Sequence, residues 1–117
     1  MEYLKSRREY LRASGKGAKC ITPSFIILAY HHGDCDQKNP RAGFTASKKI
    51  GNAVIRNRAK RRLKEAVRIS LDENAREYYD YVLIARKYIN NYSFNSILKD
   101  LEKSLNNLHW KIYNNLN

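Results

Sequence analysis

Ten lysines and arginines fall between residues 41 and 70 of this chain, against a single acid, Glu65. They are Arg41, Lys48, Lys49, Arg56, Arg58, Lys60, Arg61, Arg62, Lys64 and Arg68. The chemistry open to such a row is the binding of phosphate. Arginine presents forked donors that match phosphate oxygens, and its plane can stack on unpaired bases. The net charge of the 117 residues is +12, yet the last 47 hold six bases and six acids and are neutral. An excess confined to one segment marks a binding surface, whereas a uniform excess would serve solubility alone. Solvated helix faces normally alternate charges in pairs four residues apart, but Asn52 to Arg68 holds one acid in seventeen residues. Asn57, between two arginines, could read a base edge or a 2′-hydroxyl.

Residues for bond breaking are not grouped in the same way. No nucleophile is paired with a base. The acids Asp34, Asp36, Asp72, Glu73, Glu77 and Asp80 fall in loops or at the ends of elements. A two-metal nuclease needs carboxylates gathered at its metals. His31, His32 and Cys35 form an H-H-x-x-C string with Cys20 upstream. A structural zinc site needs four ligands, so a polar loop is the default. No catalytic residue, metal ligand or protein-bound cofactor is expected. Two cysteines are too few for a disulfide framework and read as free thiols. The chain has no run of 18 apolar residues, and its first ten residues lack an apolar signal core. A cytoplasmic protein without a membrane partner is expected.

The cations need a scaffold, and the pattern predicts one domain over 1–117. Residues 3–13 read as a short helix with Tyr3, Leu4, Tyr10 and Leu11 as its apolar members, ended by Ser14-Gly15-Lys16-Gly17 with glycine in the left-handed position. Residues 24–31 and 41–49 read as strands joined by the polar loop 32–40, and an antiparallel hairpin is the expected pairing. Residues 52–70 form the long basic helix, with Asn52 as N-cap and Ile55, Ala59, Leu63, Ala66 and Val67 on one stripe. Residues 80–88 carry the continuous apolar run Tyr81 to Ala85 of a central strand and complete a βαβ unit. Residues 93–112 form the last helix behind Ser93. The order is α-β-β-α-β-α, with a further short strand near 18–22. The class is α+β, an α/β sandwich on one small mixed sheet.

Ser47 to Glu65 reads S-K-K-I-G-N-A-V-I-R-N-R-A-K-R-R-L-K-E. This string closely resembles the signature of the bacterial ribonuclease P protein subunit, with its Arg-Asn-Arg core at Arg56-Asn57-Arg58. The neighbouring strand Arg41-Ala42-Gly43-Phe44-Thr45 and the later Ala85-Arg86-Lys87 extend the resemblance over most of the chain. It implies a mixed sheet with a left-handed βαβ crossover. It also implies a protein that binds a catalytic RNA through the basic helix and holds the 5′ leader of precursor tRNA in a groove on the sheet. The active site and its Mg²⁺ would lie on the RNA. Matched to the signature, Lys48, Lys49, Asn52, Arg56, Asn57, Arg58, Lys60, Arg61, Arg62 and Lys64 should face RNA, with Arg41 and Arg68 beside them. Tyr10, Phe25 and Tyr30 are the leader-groove candidates. Ser14 stands where many members carry a second aromatic.

Other readings compete. Another structural RNA-binding protein would show the same charge. A DNA-binding domain would need a helix-turn-helix partner for helix 52–70, where strands flank it instead. A membrane-surface helix would need Trp or Phe on its apolar face. Most of the nine tyrosines should be half-buried members of the core. Trp110 and Tyr113 are expected to pack.

Overall fold

The computed structural model describes residues 2–71 and 74–116, so Asp72 and Glu73 lie outside the described residues. Five strands form one mixed sheet: β1 (Glu2–Tyr3), β2 (Ala18–Ile21), β3 (Phe25–His31), β4 (Arg41–Thr45) and β5 (Tyr79–Ala85). Their order across the sheet is β1-β4-β5-β3-β2. The apolar run at 81–85 is the centre of the sheet, as a strand covered on both faces must be. β5 runs parallel to β4 and antiparallel to β3. The antiparallel hairpin expected of 24–31 and 41–49 therefore does not form, because β5 lies between them. The second of these strands also stops at Thr45, and Lys48–Ile50 turns as a 3-10 helix.

Alternation along the strands divides the core. Phe25, Ile27, Ala29, Ala42, Phe44, Tyr79, Tyr81, Leu83 and Ala85 face one side. There they meet α2 (Ala53–Ala66) and α3 (Phe94–Leu116). α2 contributes Ala59, Leu63 and Ala66, and α3 contributes Ile97, Leu101, Leu105, Leu108 and Ile112. Both helices start on side-chain caps: Asn52 Oδ1 accepts from the Ile55 N–H at 3.0 Å, and Ser93 Oγ from the Ser96 N–H at 3.1 Å. α2 ends in a π-helical turn at Val67–Leu71. Ile55 was placed on the buried stripe but remains 39% exposed, at the stripe's outer end. Trp110 and Tyr113 project from the outer face of α3 and do not pack in the core.

The opposite side of the sheet is covered by α1 (Arg7–Lys16), over Leu28 and Val82. This helix starts later than expected. Ser6 Oγ accepts from the Glu9 N–H while Glu9 Oε1 accepts from the Ser6 N–H, a capping box that fixes the first turn. The residues before it extend instead, and β1 adds parallel to β4. α1 closes at Gly17, whose φ of −77° is not left-handed. Glycine is needed there for close approach, since a Cβ would sit 2.5 Å from the Ala13 carbonyl oxygen.

Candidate nucleic-acid interface

The outer face of α2 and the turn before it carry most of the basic signature. Lys48, Lys49, Asn57, Arg58, Arg61 and Lys64 are exposed and Lys60 is half-buried. Among the described residues, none of these cations lies within ion-pairing distance of a carboxylate. Asn57, Lys60, Arg61 and Lys64 border a shallow depression with Val54. Lys64 Nζ is 5.6 Å above the Tyr3 ring and 6.0 Å from that of Phe44, so packing as well as charge places it.

Other residues expected to face RNA are engaged within the chain. Arg62 donates from Nη1 to the Ile89 carbonyl at 2.8 Å and from Nη2 to the Tyr92 carbonyl. Burial, and then the charge of Arg58, lowers its pKa. Arg68 donates to both carboxylate oxygens of Glu65, at 3.1 and 2.5 Å. Asn52 uses its side-chain oxygen as the helix cap. Arg56, by contrast, is half-buried without such engagement: its Nε has no hydrogen-bond partner among the described residues.

Arg41 departs furthest from expectation. The parallel register sets it opposite Asp80, which is completely buried. Arg41 Nε and Nη2 donate to the two Asp80 oxygens at 2.8 and 2.9 Å, and Arg12 Nη2 donates to Oδ2 at 2.9 Å. Arg41 also pairs with Glu9 on α1. Burial would lower the Arg41 pKa, but Asp80 and then Glu9 raise it above its ordinary value. Burial lowers the pKa of His32, 3.9 Å from Asp80, and outweighs the pull of that carboxylate. Arg41 is thus a clasp between α1, β4 and β5, with its side chain 14% exposed.

A groove of about 360 Å³ separates α1 from the sheet. Tyr10, Leu11 and Ser14 form its helix wall, Thr45, Val82 and Ile84 its floor, and Lys5 and Arg7 its rim. Tyr10 therefore lines a groove between α1 and the sheet. Its ring seats over Gly43, where a Cβ would come within 2.6 Å of the ring. Tyr30 shares that face of the sheet, beneath the Arg12 guanidinium at 5.0 Å, but does not line the groove. Phe25 is wholly buried on the opposite face, so it is a core residue and not a groove residue. The floor carries no ring, and Ser14 adds none. Lys5 and Arg7 went unnoticed in the sequence. Arg7, Tyr10, Leu11 and Ser14 nevertheless recur at the spacing of one helix face, which is a readable signal.

The described residues contain no group of three His, Cys, Asp or Glu side chains that could hold a metal. No described helix is long and apolar enough to cross a membrane. Cys20 and Cys35 are both free thiols.

Comparison with known proteins agrees with this geometry. Residues 1–109 match the family model described as Ribonuclease P. The ribonuclease P protein component of Gluconacetobacter diazotrophicus is 40% identical over 102 residues, covering 87% of this chain and 86% of the relative. That of Ruegeria pomeroyi is 40% identical over 107 residues, covering 91% and 85%. The solved RNase P protein of Staphylococcus aureus superposes with a TM-score of 0.74 at 25% identity, covering 91% of this chain and 94% of that one. The protein from Thermotoga maritima gives 0.74 at 26% identity, covering 90% and 96%. With its signature on the outer face of α2 and its fold shared with these structures, the chain belongs to the ribonuclease P protein family, the protein components of an enzyme of tRNA processing.

Proposed function

We propose that this protein binds the ribonuclease P RNA subunit through the outer face of α2 and the 5′ leader of precursor tRNA through the groove beneath α1. It thereby assists removal of the leader to give the mature tRNA 5′ end. The observation that supports this best is the row Lys48, Lys49, Arg58, Lys60 and Arg61, held on rigid backbone and unpaired with any carboxylate among the described residues. Helical pitch repeats the row about every 5.4 Å, which suits phosphate spacing. The protein's work is to position and to neutralise, letting two polyanions approach. Cleavage and the Mg²⁺ it requires are assigned to the RNA. Lys5 and Arg7 would meet leader phosphates at the groove rim, with Tyr10 against a base or sugar.

The test is reconstitution. The purified chain mixed with a bacterial ribonuclease P RNA should restore leader removal at low Mg²⁺. Arg58→Glu with Arg61→Glu should weaken assembly at least tenfold and flatten the salt dependence by somewhat more than the roughly 0.7–0.9 per lost phosphate contact. The fold should remain within about 0.5 kcal/mol of wild type. Unchanged assembly at matched salt would refute the reading.

A further inference from the structure

The turn after β5 carries an aromatic residue that neither the core nor the groove uses. Tyr88 is 60% exposed, with Lys87 Nζ 5.5 Å from its ring centre. It borders a cleft of about 350 Å³ whose other wall is the first turns of α2, with Val54, Ile55 and Arg58. Val54 is 75% exposed and Ile55 39%. No acidic residue lines this cleft.

The wall bearing Tyr88 is fixed to α2. Arg62 bonds the carbonyl of Ile89, the first residue of the 3-10 turn Ile89–Asn91, and that of Tyr92, which caps it. Asn90 Nδ2 donates to the Ile55 carbonyl at 3.3 Å. Ile89 is fully buried and anchors the turn from below. A ring on such a support is preorganised, so little ordering cost falls on a ligand that stacks there.

Resting on the RNA-binding role proposed above, we infer that this cleft takes one unpaired nucleobase of the RNA subunit. The base would stack on Tyr88 and its phosphates would lie toward Arg58 and Lys87. Three features of the site favour this occupant. The π-face and aliphatic wall suit a flat ring of any base type, because stacking is tolerant of sequence. Two cations and no acid suit a polyanion. Arg58 belongs both to this cleft and to the cation row of α2, so one strand could run across both.

The test measures affinity for a ribonuclease P RNA over a range of salt for wild type, Tyr88→Phe, Tyr88→Leu and Tyr88→Ala. Since the side chain is mostly exposed, the fold should survive, and denaturation midpoints verify that. Tyr88→Ala and Tyr88→Leu should bind about tenfold more weakly, as loss of one stack requires. Tyr88→Phe should stay within about twofold of wild type. The slope of log affinity against log salt should not change, because no charge is removed. Tyr88→Ala binding as tightly as wild type would overturn the inference. So would a loss confined to precursor tRNA affinity of the assembled holoenzyme, since the base would then come from the substrate. Failure of the wild-type chain to bind the RNA in a salt-dependent way would instead count against the RNA-binding role itself, before any variant is compared.

Discussion

Two clusters of cations, one on each side of the sheet, have opposite fates. On the α1 side, Arg41 and Arg12 converge on the buried Asp80 and are neutralised within the fold. On the α2 side, Arg58, Lys60 and Arg61 meet no carboxylate among the described residues. Residue type is the same in the two places. What differs is the backbone that presents it. A parallel strand pair sets arginine opposite aspartate with a fixed register, while a helix with one buried stripe must turn its remaining residues outward. The first arrangement builds the protein and the second leaves a field for a ligand.

Three measurements can break or sharpen this contrast. The largest effect should come from Asp80→Ala, which takes the carboxylate from Arg12 and leaves the nearly buried Arg41 with Glu9 alone. We expect a loss of about 3–5 kcal/mol in denaturant unfolding. A loss no larger than that of a surface change would show the clasp to be dispensable.

Acid should act next, on the core between the sheet and α3. His109 accepts or donates a 2.7 Å hydrogen bond with the Tyr81 hydroxyl. Burial, and then the charge of Arg76, depresses its pKa to about 4. Burial likewise depresses that of His32. A histidine with a depressed folded pKa contributes stability above its unfolded pKa, near 6.5, and loses it as pH falls through the folded value. Unfolding free energy should therefore fall between pH 6.5 and about 4, by up to about 3 kcal/mol for His109. His109→Gln should flatten that part of the profile.

The smallest of the three is Gly43→Ala. The new methyl group would collide with the Tyr10 ring, which must swing away from β4. A cost of about 1–3 kcal/mol is expected. Leader binding should weaken more than binding of the RNA subunit, because only the groove is disturbed. Equal weakening of both would mean that the two surfaces are not separable.

Much of this was legible in the sequence. The periodicity of α2 and α3, their caps and the central place of β5 follow from residue pattern and turn chemistry. Partners were not legible, because an apolar run marks a strand without naming its neighbour. The pairing of β3 with β5, and not with β4, is a choice made by the whole sheet. That choice also hid the Arg41–Asp80 clasp, since the two residues are 39 apart and become neighbours only through the parallel register. Phe25 was misplaced for a simpler reason. Alternation puts it on the face of Ile27 and Ala29, opposite Tyr30, and following the period of two would have excluded it. Arg62 could also have been distinguished from Arg61. It stands three residues after Ala59 and four before Ala66, at the margin of the buried stripe, where a long side chain turns inward.

The position of β5 bears on how the molecule is made. Among the described residues it is the last strand, and it lies between β3 and β4 and touches both. A ribosome delivering the chain from its N-terminus therefore produces two half-sheets, β2 with β3 and β1 with β4, each with an unsatisfied edge. Neither can join the other until residues 79–85 emerge. Because those pairings close loops of some forty residues or more, assembly is expected to be slow for so short a chain. In that interval the nascent chain exposes strand edges open to mispairing.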